Sequence, residues 1–365
     1  MMEQIAHKPT LSIIIPIYNG ARYLRENIQN VLAQPCKDFE LILLDDGSKD
    51  ESLSICKEFD SPYIRLYTHA NMGVSRTRNK GIELSRGEIL IFIDQDDVMR
   101  SNFYTEKMRD QLKETFGQGI DLIVTGAWSG DENLEQGTFL SIEKQRKGIY
   151  NGRSNTTAWG TTFTFNMNIF SRRLFFDEEN KATAVRFFEL PLDVETIFRH
   201  LTQYAARKIL YADNFSFCIR RNNKISVSSN WNWIKVHPIK CEAYYDLIQW
   251  HKKYYPHDVA TIHGAEKAFL QTVTDMIKTN YEVQADLVSL KKEIGKKKYY
   301  HDLQKMIIAH PEESILVKAL LTDPIQVGRL LHIGWFRHLI RKRWTLYEKL
   351  GIGQKKIDLR GMYER

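Results

Sequence analysis

The strongest constraint on this chain is a rhythm in its first third. Short β-branched runs are closed by polar turns, and each is followed by a helical pattern. "LSIIIPI" (Leu11–Ile17) ends at Asn19-Gly20, and helical spacing continues to about Ala33. "FELILLDD" (Phe39–Asp46) runs into "DDGSKDES", where Asp50 or Ser48 is suited to cap the next helix, to about Phe59. "YIRLYTH" (Tyr63–His69) is the third strand, and "NMGVSRTRNKGIELSRG" reads as a turn and helix. "EILIFID" is the fourth strand and "DLIVTGAW" (Asp121–Trp128) the fifth. Strand alternating with helix over short connections predicts an α/β fold with a doubly wound, mainly parallel sheet. Ligands bind such sheets at the carboxyl ends of the strands. The clusters "YNG", "DDGS", "HANMG" and "DQDD" all follow strands, so they should converge on one crevice.

Asp94, Asp96 and Asp97 crowd the end of the apolar run Ile89–Ile93. Like charges this close repel, and an isolated carboxylate resists leaving water. A hard divalent cation, Mg2+ or Mn2+, resolves the conflict by taking Asp94 and Asp96 as oxygen ligands. Its remaining positions suit phosphate and water, and it would act as a Lewis acid on a phosphate leaving group. The alternative is an aspartate-rich helix cap. Asp46 can accept the imide hydrogen of a base or stand in a solvated turn. Tyr18 can stack on a base or be an exposed turn tyrosine. Arg76 and Arg78 lie near the same edge, as ligand contacts or as solvated helix arginines.

Four stretches, "SIIIPIYNGARYL", "FELILLDDGSKDES", "NMGVSRTRNKGI" and "GEILIFIDQDDV", occur in this order. Together they resemble the inverting glycosyltransferases of family 2, whose fold is GT-A, over residues 9 to 128. The resemblance implies a nucleotide-sugar donor, usually a UDP-sugar, a divalent metal, and hexosyl or N-acetylhexosaminyl transfer. By matching position it places Pro16, Tyr18 and Asp46 around the uracil, with Asn71 and Arg78 supporting the nucleotide. Asp94 would face the ribose and Asp96 the metal, with Asp97 sharing either task.

Inverting transfer also needs a base for the acceptor hydroxyl. "ELPLDVETIFRHL" offers Glu189, Asp193 and Glu195. Members of the family carry a Glu-Asp pair followed shortly by a large apolar residue. Matching Phe198 to that residue makes Glu195 the base, with Asp193 the other candidate. Val194 then stands where the first acid would be, which keeps open a non-catalytic sugar-nucleotide-binding or membrane-scaffold protein of the same fold. "FCIRRNNKISVS" resembles the family's tyrosine-arginine stretch with a serine five residues after the arginine. The resemblance gives Arg221 and Ser226 to a mobile loop closing over the diphosphate.

Composition bounds the partners. Net charge is +7 and the pI is near 9.0, which suits an anionic partner. Nucleic acid is disfavoured, because no recognised motif is present and the basic excess sits largely in the last third. The first strand leads into "PIYNGARYL" rather than G-x-G-x-x-G, so the dinucleotide fingerprint is missing. Cys36, Cys56, Cys218 and Cys241 are widely spaced and read as reduced thiols of a cytosolic protein. "MMEQIAHKPT" lacks the apolar core of a signal peptide. No apolar run approaches the ~20 residues of a membrane span.

The expectation is therefore a cytoplasmic protein, in solution or peripheral on the inner face of the cell membrane. Its catalytic domain would cover 9–228 and a helical region 229–365, in which His251, His257 and His263 read as surface histidines. In Gly328–Gly351, Ile333, Phe336, Leu339, Ile340, Trp344 and Tyr347 share one helical face opposite Arg337, His338, Arg341 and Lys342. Such a helix suits an anionic membrane surface or packs on its own domain. Membrane docking would fit a lipid-linked saccharide acceptor in cell-surface polysaccharide biosynthesis.

Overall fold

A computed structural model of the chain describes residues 8–140, 147–152, 168–176, 185–190, 195–220 and 232–332. The chain divides into two compact units, residues 1–159 with 164–265, and 266–365 with 160–163.

The described strands of the first unit are β1 (Leu11–Ile17), β2 (Phe39–Asp45), β3 (Ile64–Thr68), β4 (Ile89–Phe92), β5 (Val98–Met99), β6 (Leu122–Gly130), β7 (Gly137–Leu140), β8 (Gly148–Asn151), β9 (Asn168–Ser171) and β10 (Lys208–Arg220). They form one sheet in the order β3-β2-β1-β4-β9-β6-β10-β5, with β7 on β6 and β8 on β10. Interleaved are α1 (Ala21–Leu32), α2 (Ser52–Lys57), α3 (Val74–Leu84), α4 (Glu106–Gly117) and α5 (Glu195–Ala205), followed by α6 (Trp233–Tyr254) and the start of α7 (Val259–Glu282).

β1, β2 and β4 are buried at every position, as near-continuous apolar runs must be when both faces of a sheet are covered. Leu11 of β1 pairs with Phe39 of β2 and Ile89 of β4, and both ladders are parallel. Helix α1 presents Leu24, Ile28 and Val31, one stripe at helical spacing, to a core that includes Ile13, Ile15, Leu41, Leu43 and Ile91. On α3, a Cβ at Gly81 would lie 2.4 Å from Ile14 Cγ2, so only glycine lets this helix approach β1 so closely.

The doubly wound parallel half, β3-β2-β1-β4, matches the sequence expectation. Beyond it the sheet is mixed. β9 inserts between β4 and β6, antiparallel to both, so the strand expected fifth does not adjoin the fourth. "NIFS" is too short to announce itself, and its partners are far away in sequence. Two local expectations change as well. Glu51 stands at the N-cap position of α2 but makes no side-chain cap bond; Asp50, one residue earlier, accepts from the Ser52 N–H at 3.0 Å, and Ser48 serves the β1 turn instead. His251 is fully buried rather than at the surface: its Nε2 lies 2.9 Å from His200 Nε2, and rings of Tyr204 and Trp250 close around it. His257 and His263 are exposed, as expected. All four cysteines are free thiols.

The second unit holds the rest of α7 with α8 (Leu287–Gly295), α9 (Tyr300–Ala309), α10 (Ile315–Thr322) and α11 (Pro324–His332). Phe269, Val273, Ile277, Leu303, Leu316, Leu320 and Val327 are buried in it, and His310 Nε2 lies 3.0 Å from Glu266 Oε2. Most of the basic amphipathic segment, residues 333–351, lies outside the described residues. No described helix is long and apolar enough to cross a membrane.

Candidate active site

The polar clusters converge as the alternation requires. β1, β2 and β4 are parallel neighbours, so the residues following each lie side by side at the carboxyl edge. Pro16, buried and without an N–H for the ladder, lies past the last β1–β4 pair, Ile14–Phe92. Tyr18 follows, 43% exposed, its ring offered to solvent at the edge.

The turn after β1 is held from two sides. Gln95 Oε1 accepts from the Tyr18 N–H at 2.8 Å, and Gln95 Nε2 donates to the Tyr18 carbonyl at 3.1 Å. From the β2 side, Ser48 Oγ accepts from the Asn19 N–H at 3.0 Å, Ser52 Oγ from Gly20 at 2.8 Å and Asp50 from Ala21 at 3.1 Å. The "DDGSKDES" side chains thus satisfy donors at the start of α1, where a helix leaves N–H groups without partners.

Asp46 is 3% exposed. Its Oδ1 accepts from the Met72 N–H at 2.7 Å and its Oδ2 from the Gly73 N–H at 2.9 Å. Asn71, exposed, donates from Nδ2 to the Asp46 carbonyl at 3.1 Å. Gly47 makes this fold-back possible: its φ is +69°, and a Cβ there would lie 2.9 Å from the Asn71 nitrogen.

Arg78 is buried on α3 and donates from Nη2 to Asp94 Oδ1 at 2.6 Å, a charge-assisted bond. Arg76 instead faces outward and pairs with Glu189 at 2.9 Å. Asp94 and Asp96 are half-buried, whereas Asp97 is 4% exposed and its Oδ1 accepts from the Arg220 N–H at 3.0 Å. Asp97 therefore turns into the protein, away from its two neighbours' roles. Arg78 offsets much of the crowding at Asp94. Two partly exposed carboxylates remain, one residue apart and all-oxygen, and this donor set fits a hard divalent cation that also takes phosphate and water.

Glu195 opens α5 and is half-buried. Its helix is anchored by Phe198, 1% exposed, which stacks on Phe187 at 3.5 Å between centroids and meets Phe92 edge-on at 6.3 Å. Phe92 ends β4, two residues before Asp94. Phe187 is tied to α3 by a reciprocal pair with Asn79, both bonds 2.9 Å, and lies 5.4 Å from the Arg78 guanidinium. The aromatic cluster thus brings the start of α5 to the end of β4, although a hundred residues separate them. Asp193, Arg221 and Ser226 lie outside the described residues.

Two residues escape a reading of the sequence. Gln95, the middle of "DQD", is the brace of the β1 turn. Arg220, beside the arginine that the motif selected, holds the Asp96 carbonyl through its side chain and the Asp97 carboxylate through its N–H. Only its place at the end of a strand hinted at this.

The family model for glycosyl transferase family 2 matches residues 12–178. The chain is 32% identical over 188 residues to an uncharacterized glycosyltransferase of Rickettsia felis, covering 48% of this chain and 29% of that protein. It is 41% identical over 102 residues to the cholesterol galactosyltransferase of Borreliella burgdorferi, covering 27% of this chain and 28% of that protein. Against an uncharacterized glycosyltransferase of Haemophilus influenzae it is 29% identical over 225 residues, 61% of this chain and 83% of that protein. The chain thus spans under a third of the length of the first two relatives. Among solved structures, that of S. aureus TarS 1–349 in complex with UDP-GlcNAc is similar at a TM-score of 0.53 and 14% identity, covering 87% of this chain and 92% of that one. That likeness is one of fold.

Proposed function

We propose that the protein, whose residues 12–178 match the family model for glycosyl transferase family 2, transfers a sugar, with inversion, from a UDP-sugar to a saccharide or lipid-linked saccharide acceptor. The observation that carries this reading is the convergence of Tyr18, Asp46, the Arg78-held Asp94 and Asp96 at one sheet edge.

Tyr18 offers an exposed ring for the base to stack on. Asp46 accepts from two backbone N–H groups and keeps lone pairs that can accept the imide hydrogen of uracil. Arg78 aims Asp94 at the ribose. Asp96, with Asp94, would hold Mn2+ or Mg2+, which supplies Lewis-acid stabilisation of the departing diphosphate. Arg221 and Ser226 are assigned to the same diphosphate, since guanidinium and hydroxyl donors suit its oxygens. The acceptor hydroxyl attacks the anomeric carbon from the face opposite the diphosphate. A bond forms from acceptor oxygen to anomeric carbon, the bond from anomeric carbon to phosphate oxygen breaks, and UDP carries off the electron pair. The hydroxyl proton passes to Glu195, in the first turn of α5. Asp193 is the second candidate for this role.

Glu195→Gln keeps the shape and removes the basicity. Transfer should fall about 10²- to 10⁴-fold while UDP-sugar affinity stays near wild type. If Asp193→Asn collapses transfer and Glu195→Gln is nearly silent, the base is Asp193. A wild-type protein that binds UDP-sugars but neither transfers nor hydrolyses them would instead be a non-catalytic binder.

A further inference from the structure

We infer that Arg220 is a positioning residue for the Asp94–Asp96 carboxylates, acting through the backbone of the loop that carries them. The inference rests on the metal-binding reading given above. Arg220 ends β10, and its side chain is 2% exposed. Its backbone N–H donates to Asp97 Oδ1 at 3.0 Å, and its Nη1 donates to the Asp96 carbonyl at 2.6 Å. The same guanidinium gives Nε to the Glu132 carbonyl at 2.9 Å and Nη2 to Glu26 Oε1 at 2.6 Å. It lies 4.8 Å from the centre of the Tyr23 ring, and the Tyr23 hydroxyl donates to Glu132 Oε1 at 3.0 Å.

One planar fork therefore ties the aspartate loop to α1 and to the turn between β6 and β7. Lysine cannot reproduce it, because a single ammonium cannot reach several fixed acceptors in one plane. The Asp94 side chain is fixed from one flank by Arg78, and the Asp96 peptide from the other by Arg220. A carboxylate ligand is useful only when held within a fraction of an ångström of its productive position. Removing a supporting group of this kind typically costs roughly 10- to 100-fold in metal affinity.

The test is calorimetric UDP binding across a Mn2+ titration in the full chain, with thermal denaturation recorded alongside. Wild type should bind UDP in a Mn2+-dependent way, and Asp96→Ala should not. Arg220→Gln should need roughly 10- to 100-fold more Mn2+ for half-saturation, and Arg220→Lys an intermediate amount. Glu26→Gln, altered at an exposed side chain that accepts from Nη2 of the guanidinium, should shift the same midpoint a few-fold. If Arg220→Gln does not fold, Arg220→Lys and Glu26→Gln decide. Lowered melting temperatures with a wild-type Mn2+ midpoint in the folded protein would make Arg220 a structural residue only, and the inference would fail alone. Wild-type UDP binding that ignores both Mn2+ and Asp96→Ala would instead overturn the metal reading, and the role of Arg220 with it.

Discussion

At the amino edge of the sheet, Glu40 and Asp121 are each enclosed by arginines; at the carboxyl edge, Asp94 and Asp96 keep part of their surface in solvent. Glu40 is fully buried, with Ser12 Oγ at 2.6 Å, Arg65 Nη1 at 2.7 Å and Arg86 Nε at 3.0 Å. Asp121, also fully buried, accepts from the Arg207 N–H at 2.7 Å and from Arg173 Nε at 3.0 Å, with a second, closer contact from Arg173. Two guanidiniums per carboxylate leave no place for a ligand. At the other edge Arg78 reaches Asp94 and the Arg220 fork reaches the Asp96 backbone, while both carboxylates stay only half-buried. The residue type is the same at both edges. What distinguishes the structural acids from the candidate ligands is exposure: Glu40 and Asp121 are fully buried, whereas Asp94 and Asp96 still reach solvent.

That contrast breaks first, if it breaks, at Asp96. Asp96→Ala should cut transfer by about 10³-fold or more, because several kcal/mol of leaving-group stabilisation is lost. Its folding stability should stay within about 1 kcal/mol of wild type, since the side chain is partly exposed. The amino edge should respond the opposite way. Asp121→Asn strands two arginines and should cost about 3–5 kcal/mol in denaturant unfolding, as should Glu40→Gln. UDP affinity of either variant, measured where it is still folded, should be unchanged. Wild-type stability in both would show that the arginine cages are not structural.

Acid sharpens the comparison. Burial pushes the Glu40 carboxyl up, but Ser12, Arg65 and Arg86 outweigh it and hold the group below its ordinary 4.5. A lowered carboxyl stabilises the fold above its unfolded value, so this contribution is lost only as pH falls below about 4.5. The buried imidazoles fail earlier. Burial lowers His200 from 6.5 to about 3, helped by neighbouring His251 and Arg199, and lowers His251 from 6.5 to about 4. A depressed imidazole stabilises the fold above its unfolded value, so stability should start to fall as pH drops below 6.5. Unfolding midpoints from pH 7 to 5 should decline in wild type and decline less steeply in His251→Gln. A flat wild-type profile would mean that the pair is not held neutral.

The smallest expected effect belongs to Gln95. Gln95→Ala removes two bonds that set the Tyr18 turn, each worth about 1 kcal/mol. The Michaelis constant for the donor should rise several-fold with the turnover number nearly unchanged. A loss confined to turnover would place Gln95 nearer the chemistry.

How much of this the sequence disclosed depends on contact range. β1, β2 and β4 were legible because each is a continuous apolar run bounded by turn residues, and a parallel neighbourhood brings their ends together automatically. Asp46, Asp94 and Asp96 were legible because they follow those runs directly. Glu40 was not, since one acid inside "FELILL" says nothing of Arg65 and Arg86, which reach it from a different strand and from a turn. Arg220 meets Asp96 across 124 positions. His251 looked like a polar residue in a helix, and only the packing of α5 on α6 buries it. β9 was missed because four residues carry too little periodicity.

If the open carboxyl edge binds and spends a nucleotide-sugar, as we propose, turnover there depends on Asp96. Released UDP, measured for the wild type and Asp96→Ala over a panel of UDP-sugars with Mn2+, tests it most directly. Wild type should release UDP from at least one donor, and Asp96→Ala, still folded, should release none above background. Equal release by the two proteins, or no release from any donor by wild type, would contradict it.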